Sequence, residues 1–143
     1  MKAILTIITT CTLLLFASCT DRGERDEVNF NVRINNTSSE SLVIEGYAPN
    51  NNLIINSNVA SNSFGAECSY RAETFSGYIC GVDSIIIKFS NGKGYISNLH
   101  YPSIYDFPND NSLFGNGPKF IFNNGVYEFT INQEDFTNAY DLP

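Results

Sequence analysis

Two Asn-Gly dipeptides, Asn91-Gly92 and Asn124-Gly125, each lie between segments whose apolar and polar residues alternate. That combination leaves the chain little choice but antiparallel β-structure. A two-residue type I′ turn needs φ above zero at both central positions, which Asn and Gly tolerate best. Closing the first dipeptide as such a turn sets Phe89 against Gly94 and Ile87 against Ile96, with Ile85, Ile87, Phe89 and Ile96 on one face. Closing the second sets Phe122 against Tyr127 and Phe120 against Phe129, so that four rings share a face. Both registers agree with the hydrophobic pattern, so turn chemistry and burial point to the same fold.

The period of two runs through the first half as well. Val28, Phe30, Val32 and Ile34 alternate with Asn29, Asn31, Arg33 and Asn35, which predicts a strand with one face on a core. Asn36-Thr37-Ser38-Ser39 reads as a turn, Leu42-Val43-Ile44 as a second strand, and Leu53, Ile55 and Val59 as a third. Phe64, Ala66, Cys68, Tyr70 and Ala72 alternate with Gly65, Glu67, Ser69, Arg71 and Glu73, so Cys68 is expected to face inward. One helix closes the chain, with Asn132 as N-cap, Gln133-Glu134-Asp135 in the first turn, and Phe136, Ala139 and Tyr140 on the packed face. The expected class is all-β: an antiparallel β-sandwich, Ig-like in the loose sense, with a short C-terminal helix. A small β-barrel is the alternative, because it uses the same period.

The N-terminus belongs to something else. Lys2 precedes an apolar stretch from Ala3 to Ala17 broken only by threonines and Cys11, the pattern of an export signal and marginal for a spanning helix. Ala17-Ser18-Cys19 resembles a bacterial lipoprotein signal, with Phe16 where leucine is usual. The resemblance implies cleavage before Cys19, acylation of that cysteine, and the lipid bilayer as a partner through several acyl chains, which anchor stably where one does not. Residues 20–27 (Thr-Asp-Arg-Gly-Glu-Arg-Asp-Glu) hold no sizeable apolar side chain and read as a solvated tether, spanning about 25 to 30 Å when extended. Their acidic residues partly resemble the tag that sends lipoproteins of Bacteroidetes to the cell surface; a mixed-charge spacer with no address is the other reading. The organisation expected is therefore a signal over 1–18, a lipidated cysteine and tether over 19–27, and one domain over 28–143. Gly81 to Lys93 and Val126 to Ala139 look like the hairpin and closing segment of small lipoproteins from Flavobacteria and their relatives. That resemblance covers under half the chain and carries over no active site.

With Cys11 removed with the signal and Cys19 acylated, Cys68 and Cys80 remain as a disulfide pair in an oxidising compartment, or as two separate buried thiols. Fifteen Asp and Glu against eight Lys and Arg give a net charge of −7, and loss of Lys2 adds one negative unit. Such a chain is not expected to bind nucleic acid or anionic lipid, both of which are bound by neutralising phosphates.

Chemistry-bearing residues are few. His100 is the sole histidine and no nucleophile elbow accompanies it, so a solvated loop histidine is the plain reading. Asp106 and Asp110 are the only pair worth weighing for glycoside hydrolysis, and Asp106 with Asn109, Asp110 and Asn111 lacks the register of a calcium loop. No cofactor or metal is expected. Asp83-Ser84-Ile85 resembles the O-glycosylation acceptor triplet of Bacteroidetes, although Ser84 also simply begins a strand.

The long stretch from His100 to Gly117 is more informative. It carries Tyr101, Ile104, Tyr105, Phe107, Leu113 and Phe114, too apolar for a solvated linker. Either Tyr101, Tyr105, Asp106 and Phe107 form a binding surface for a protein or a glycan, or the rings pack as a lid on an open end of the sandwich. The absence of tryptophan weighs against sugar stacking. The function expected is that of a non-enzymatic envelope lipoprotein, outer-membrane and lipid-anchored, that presents a β-sandwich to a protein partner or to other envelope components. A carbohydrate-binding lipoprotein and a hydrolase are the alternatives.

Overall fold

The computed structural model describes residues 26–143; the signal, Cys19 and most of the tether lie outside the described residues. Nine strands form two separate sheets, so the protein is a β-sandwich and the closed barrel is excluded. One sheet has the order β4 (Ser63–Ala72), β1 (Val28–Asn36), β8 (Val126–Ile131), β7 (Phe120–Asn123). The other runs β3 (Leu53–Val59), β2 (Leu42–Tyr47), β5 (Ser84–Phe89), β6 (Lys93–Asn98), β9 (Tyr140–Asp141). Pairing is antiparallel except between β1 and β8, which run parallel from Asn31↔Val126 to Asn36↔Ile131.

The core is the set of inward positions that alternation predicts. Val32, Ile34, Phe129 and Ile131 face Leu42, Ile44, Ile85, Ile87 and Phe89 across the gap, each at most 3% exposed. At one end the buried Asn36 side chain donates to the carbonyls of Glu40 at 2.8 Å and Ala60 at 3.0 Å. It thus ties the β1–β2 and β3–β4 turns together and closes that flank. Asn36 was expected to open a turn; it instead ends β1, buried and satisfied, as a buried amide must be. The opposite end, where β1 begins, also gathers Tyr47, Leu53, Ser84 and Asn98, which are neighbours in the register of the second sheet.

The two Asn-Gly turns behave differently. Asn124 (φ 49°) and Gly125 (φ 84°) form the expected type I′ turn, and Phe122 meets Tyr127 while Phe120 meets Phe129. At the other dipeptide only Gly92 has positive φ, at 83°, and its N–H donates to Phe89 O at 3.0 Å. This is a type I turn followed by a left-handed glycine, a three-residue loop. The register consequently slips by one: Ile87 pairs with Tyr95, and Ile96 with Ile86. Tyr95 and Ser97 point inward in place of Ile96, since a one-residue slip exchanges the two faces of a strand. Two local contacts favour the longer loop: Asn91 Oδ1 accepts from Lys93 N at 3.0 Å, and the buried Tyr95 hydroxyl donates to Asp135 O at 2.8 Å.

A bulge corrects a second expectation. Between Val32↔Cys68 and Ile34↔Gly65 the β1–β4 ladder gains a residue, with Ala66 at φ 51°. Cys68 and Tyr70 keep the inward phase, but Phe64 turns outward and is 48% exposed. Its ring lies 3.7 Å beneath the Arg33 guanidinium, which also pairs with Glu67 at 3.4 Å and with Glu128. The hydrogen bond to Glu128 is the main cause that raises the Arg33 pKa further.

Helix α1 (Gln133–Thr137) begins where expected. Asn132 caps the Asp135 N–H at 3.0 Å, and Asp135 Oδ2 returns the bond to Asn132 N at 2.8 Å. Tyr140 was assigned to the helix face but lies in β9, an added edge strand against Lys93 and Gly94. Between β4 and β5, residues 73–83 turn into the interior. Tyr78 is fully buried there, its hydroxyl donating to Ala66 O at 2.6 Å, and burial pushes its pKa up. Cys80 is disulfide-bonded to Cys68 with Cα atoms 6.1 Å apart and a sequence separation of 12. Removing that link by Cys68→Ala with Cys80→Ala is expected to cost about 3 kcal/mol of stability in the chain-entropy account. Urea unfolding of the oxidised protein and the double variant checks this, and coincident midpoints would show that the crosslink constrains nothing in the unfolded chain.

Candidate functional site

The flank opposite the Asn36 closure would stand open between β7 and the β6–β9 edge. Residues 99–119 fill it. Ile96 N donates to Tyr105 O at 2.9 Å, so the segment begins by extending along β6. Phe107 then inserts between the sheets, stacked on Tyr95 at 3.9 Å between centroids and edge-on to Phe129 at 5.1 Å. Further on, Tyr78 N donates to Leu113 O at 2.7 Å and Gly115 N to Ser76 O at 3.0 Å, pairing this segment with the one that carries Tyr78. Phe107 and Leu113 are buried, so much of the segment is the packed lid and not a contact surface.

The four residues weighed as a binding surface therefore separate. Phe107 is core. The Asp106 carboxylate accepts from the buried Ser97 hydroxyl at 2.5 Å and from Phe107 N at 2.8 Å, which fixes the turn that delivers Phe107. Tyr105 is half-buried, edge-on to Tyr140 at 5.9 Å. Only Tyr101 faces solvent, at 78% exposed, with Ile104 three residues further on at 81%. Their flanks are held: Leu99 N donates to Asp83 O at 2.8 Å, and Asp106 N donates to Ser103 O at 3.2 Å. The result is an apolar tip on a tied-down loop. Asp110 is exposed at φ 57°, and among the described residues no group of three His, Cys, Asp or Glu could hold a metal ion.

Beside the tip lies a cleft of about 260 Å³ between the β2–β3 turn and the end of β6. Asn51, Asp83, Ser84, Asn98, His100 and Tyr101 are among the residues that line it. His100 Nε2 is 3.8 Å from Asp83 Oδ2, beyond hydrogen-bond distance, with the histidine side chain 63% exposed. Among the described residues, no hydrogen bond within the chain engages the side chains of Asn51, Ser84 or Asn98. The contrast with the far end is clear. There a second polar cleft of about 300 Å³ has at its base Lys119 and Asp135, paired at 2.5 Å, and Asp135 already serves the helix cap.

Tyr101 was legible as a binding candidate, His100 read as a solvated loop histidine, and Ser84 drew notice only within the triplet Asp83-Ser84-Ile85, whereas nothing in the sequence grouped Asn51, Asp83, Ser84 and Asn98. They come from three separate segments, and only the register Tyr47↔Ser84↔Asn98 with the Ala48–Asn52 turn brings them to one end. A half-buried aromatic group was missed too: Phe75 stacks on Tyr127 at 3.7 Å and meets Phe30 and Phe120 at 5.7 and 5.0 Å. Phe75 shows no periodic pattern, because the segment that carries it is neither strand nor helix.

The division into lid and tip has a direct test. Phe107→Ala is expected to destabilise by about 3 to 5 kcal/mol, as for other buried rings. Tyr101→Ala is expected to fall within about 0.5 kcal/mol of the parent; equal losses on chemical denaturation would refute the division. A pH effect is also expected on the outer face of the second sheet. Lys88 Nζ lies 2.8 Å from Glu45 Oε2, and this hydrogen bond holds the Glu45 carboxyl below its ordinary value of 4.5. Its stabilisation is present above that value and lost as pH falls through the lowered one. Wild type and Glu45→Gln are accordingly expected to differ in stability at neutral pH and to converge in acid; a gap that persists unchanged at low pH would contradict this.

Comparison of the chain with known proteins finds no matching family model, no similar curated protein and no similar solved structure.

Proposed function

We propose that this chain is a non-enzymatic lipoprotein of the bacterial envelope, held on the outer membrane by an acylated Cys19 and presenting its β-sandwich to protein or other envelope partners. The observation that carries the reading is the order of three parts: Ala17-Ser18-Cys19, a charged spacer over 20–27, and a sandwich whose first strand begins at Val28. A short polar spacer between an acylated cysteine and a compact domain suits a protein whose work lies in being held at a surface. Several acyl chains make such attachment permanent on the time scale of the cell. The disulfide between Cys68 and Cys80 suits a compartment outside the cytosol. The tip formed by Tyr101 and Ile104 supplies contact area of the kind that partners use, since aromatic side chains carry a large share of interface energy.

Tagged full-length protein and a Cys19→Ala variant, compared by membrane fractionation and by incorporation of a labelled fatty acid, test the anchor. Wild type is expected in the membrane fraction carrying label, and the variant is expected to lose both. A variant that stays membrane-bound, or a wild type without label, would refute the anchor. Protease digestion on intact and lysed cells then reports which side of the membrane the domain occupies.

A further inference from the structure

We propose that the cleft beneath Tyr101 binds one uncharged pyranose unit of a glycan, with Tyr101 as its stacking wall and Asn51, Asp83, Ser84, Asn98 and His100 as its hydrogen-bonding floor and rim. This rests on the reading of the chain as a presenting domain and names what the domain would present itself to.

Three observations lead to a sugar. The first is the state of the polar groups. Asn51, Ser84 and Asn98 come from different segments and line one concavity, and among the described residues their side chains make no hydrogen bond within the chain. The amides and the hydroxyl can each donate and accept, the Asp83 carboxylate accepts, and the His100 ring offers a further N–H donor. A ligand with several hydroxyls around a ring satisfies such a mixed set, whereas a purely apolar ligand would leave those groups desolvated and unpaired.

The second observation is the wall. Tyr101 is 78% exposed and has no ring partner among the described residues, while most rings of the molecule are paired or buried. A flat ring with a polar tip at the rim of a polar cleft suits a ligand that has an apolar C–H face and hydroxyls at its edge. Ala48 and Pro49 supply the only other apolar lining. The third is size and charge. A volume of about 260 Å³ falls below the range of pockets that enclose drug-sized molecules, and suits a single ring with its substituents. Asp83 in the cleft and the net charge of −7 disfavour an anionic sugar.

The backbone holds the geometry in place before any ligand arrives. Asn51 takes its position from a turn in which its N–H donates to Ala48 O at 2.9 Å and its φ is 60°, a conformation Asn tolerates. Asp83 N donates to Tyr47 O at 2.8 Å, and Leu99 N donates to Asp83 O. Two of the lining residues thus project from a continuous hydrogen-bonded row and a third from a tight turn. A site so ordered in advance spends little binding energy on ordering itself.

The test uses the purified full-length chain in a detergent without a sugar head group. Glucose, galactose, mannose and N-acetylglucosamine are titrated and read by saturation-transfer NMR, with glucuronate and glycerol alongside. At least one neutral sugar is expected to bind, and Tyr101→Ala and Asn98→Ala are each expected to weaken it ten-fold or more. Phe122→Ala, an exposed ring elsewhere on the surface, is expected to leave binding unchanged. Near-UV circular dichroism establishes that each variant is folded. No binding by any of the four sugars at tens of millimolar would overturn the proposal. So would binding untouched by both cleft variants, glucuronate binding tighter than glucose, or glycerol binding as well as the sugars. Because binding is read on the isolated protein, its outcome is independent of whether Cys19 proves to be acylated.

Discussion

The stack of Phe107 on Tyr95 is the contact without which the two sheets would share only one closed flank. Sandwiches of this size cannot hide both edges with strands alone. Here the β3–β4 side is sealed by a short crossover pinned by Asn36, while the β6–β7 side depends on an inserted ring. Tyr95 takes part in the interior four times: as the stacking partner of Phe107, as an edge contact to Tyr140 and to Phe89, and as the hydroxyl that reaches Asp135. Burial, more than the nearby acid of Asp135, pushes its hydroxyl pKa up, so it remains a donor across the physiological range. Sheet, lid, helix and last strand therefore meet at one side chain.

That dependence explains which parts of the fold were legible in the sequence. Period-two alternation located eight strands, because each has one face on a single core. The Asn124-Gly125 turn followed from residue type alone, since nothing nearby competes with it. The Asn91-Gly92 turn did not. Its register was decided by which of Tyr95 and Ile96 belongs inside, and the lid and helix that receive Tyr95 lie far along the chain. Phe64 escaped for a related reason: a bulge at Ala66 leaves no mark in a pattern of apolar and polar letters.

The candidate site was less legible still. Tyr101 and His100 could be singled out as unusual residues in a long loop, but Phe107 and Asp106 carried the same signal and proved to hold the structure together. What separates them is whether a cavity between the sheets awaits the ring, a property of topology and not of spacing. Nothing in the sequence marked the polar side of the cleft as one site, and Ser84 drew notice only within a triplet that resembles a glycosylation acceptor. An asparagine in a turn and a serine at a strand start are ordinary residues until pairing sets them side by side.

The parallel pairing of β1 with β8 has a consequence for how the chain comes to be folded. Val32 finds Tyr127, and Arg33 finds Glu128, across a sequence separation of 95. A contact of that span carries a large closure entropy and forms late, so folding is expected to be slow for a domain of this size. The central pair of the first sheet is absent until nearly the whole polypeptide is free. The β1–β4 pair and four strands of the second sheet lie wholly ahead of residue 99, so a partial sandwich can assemble first and wait for β8 to complete it.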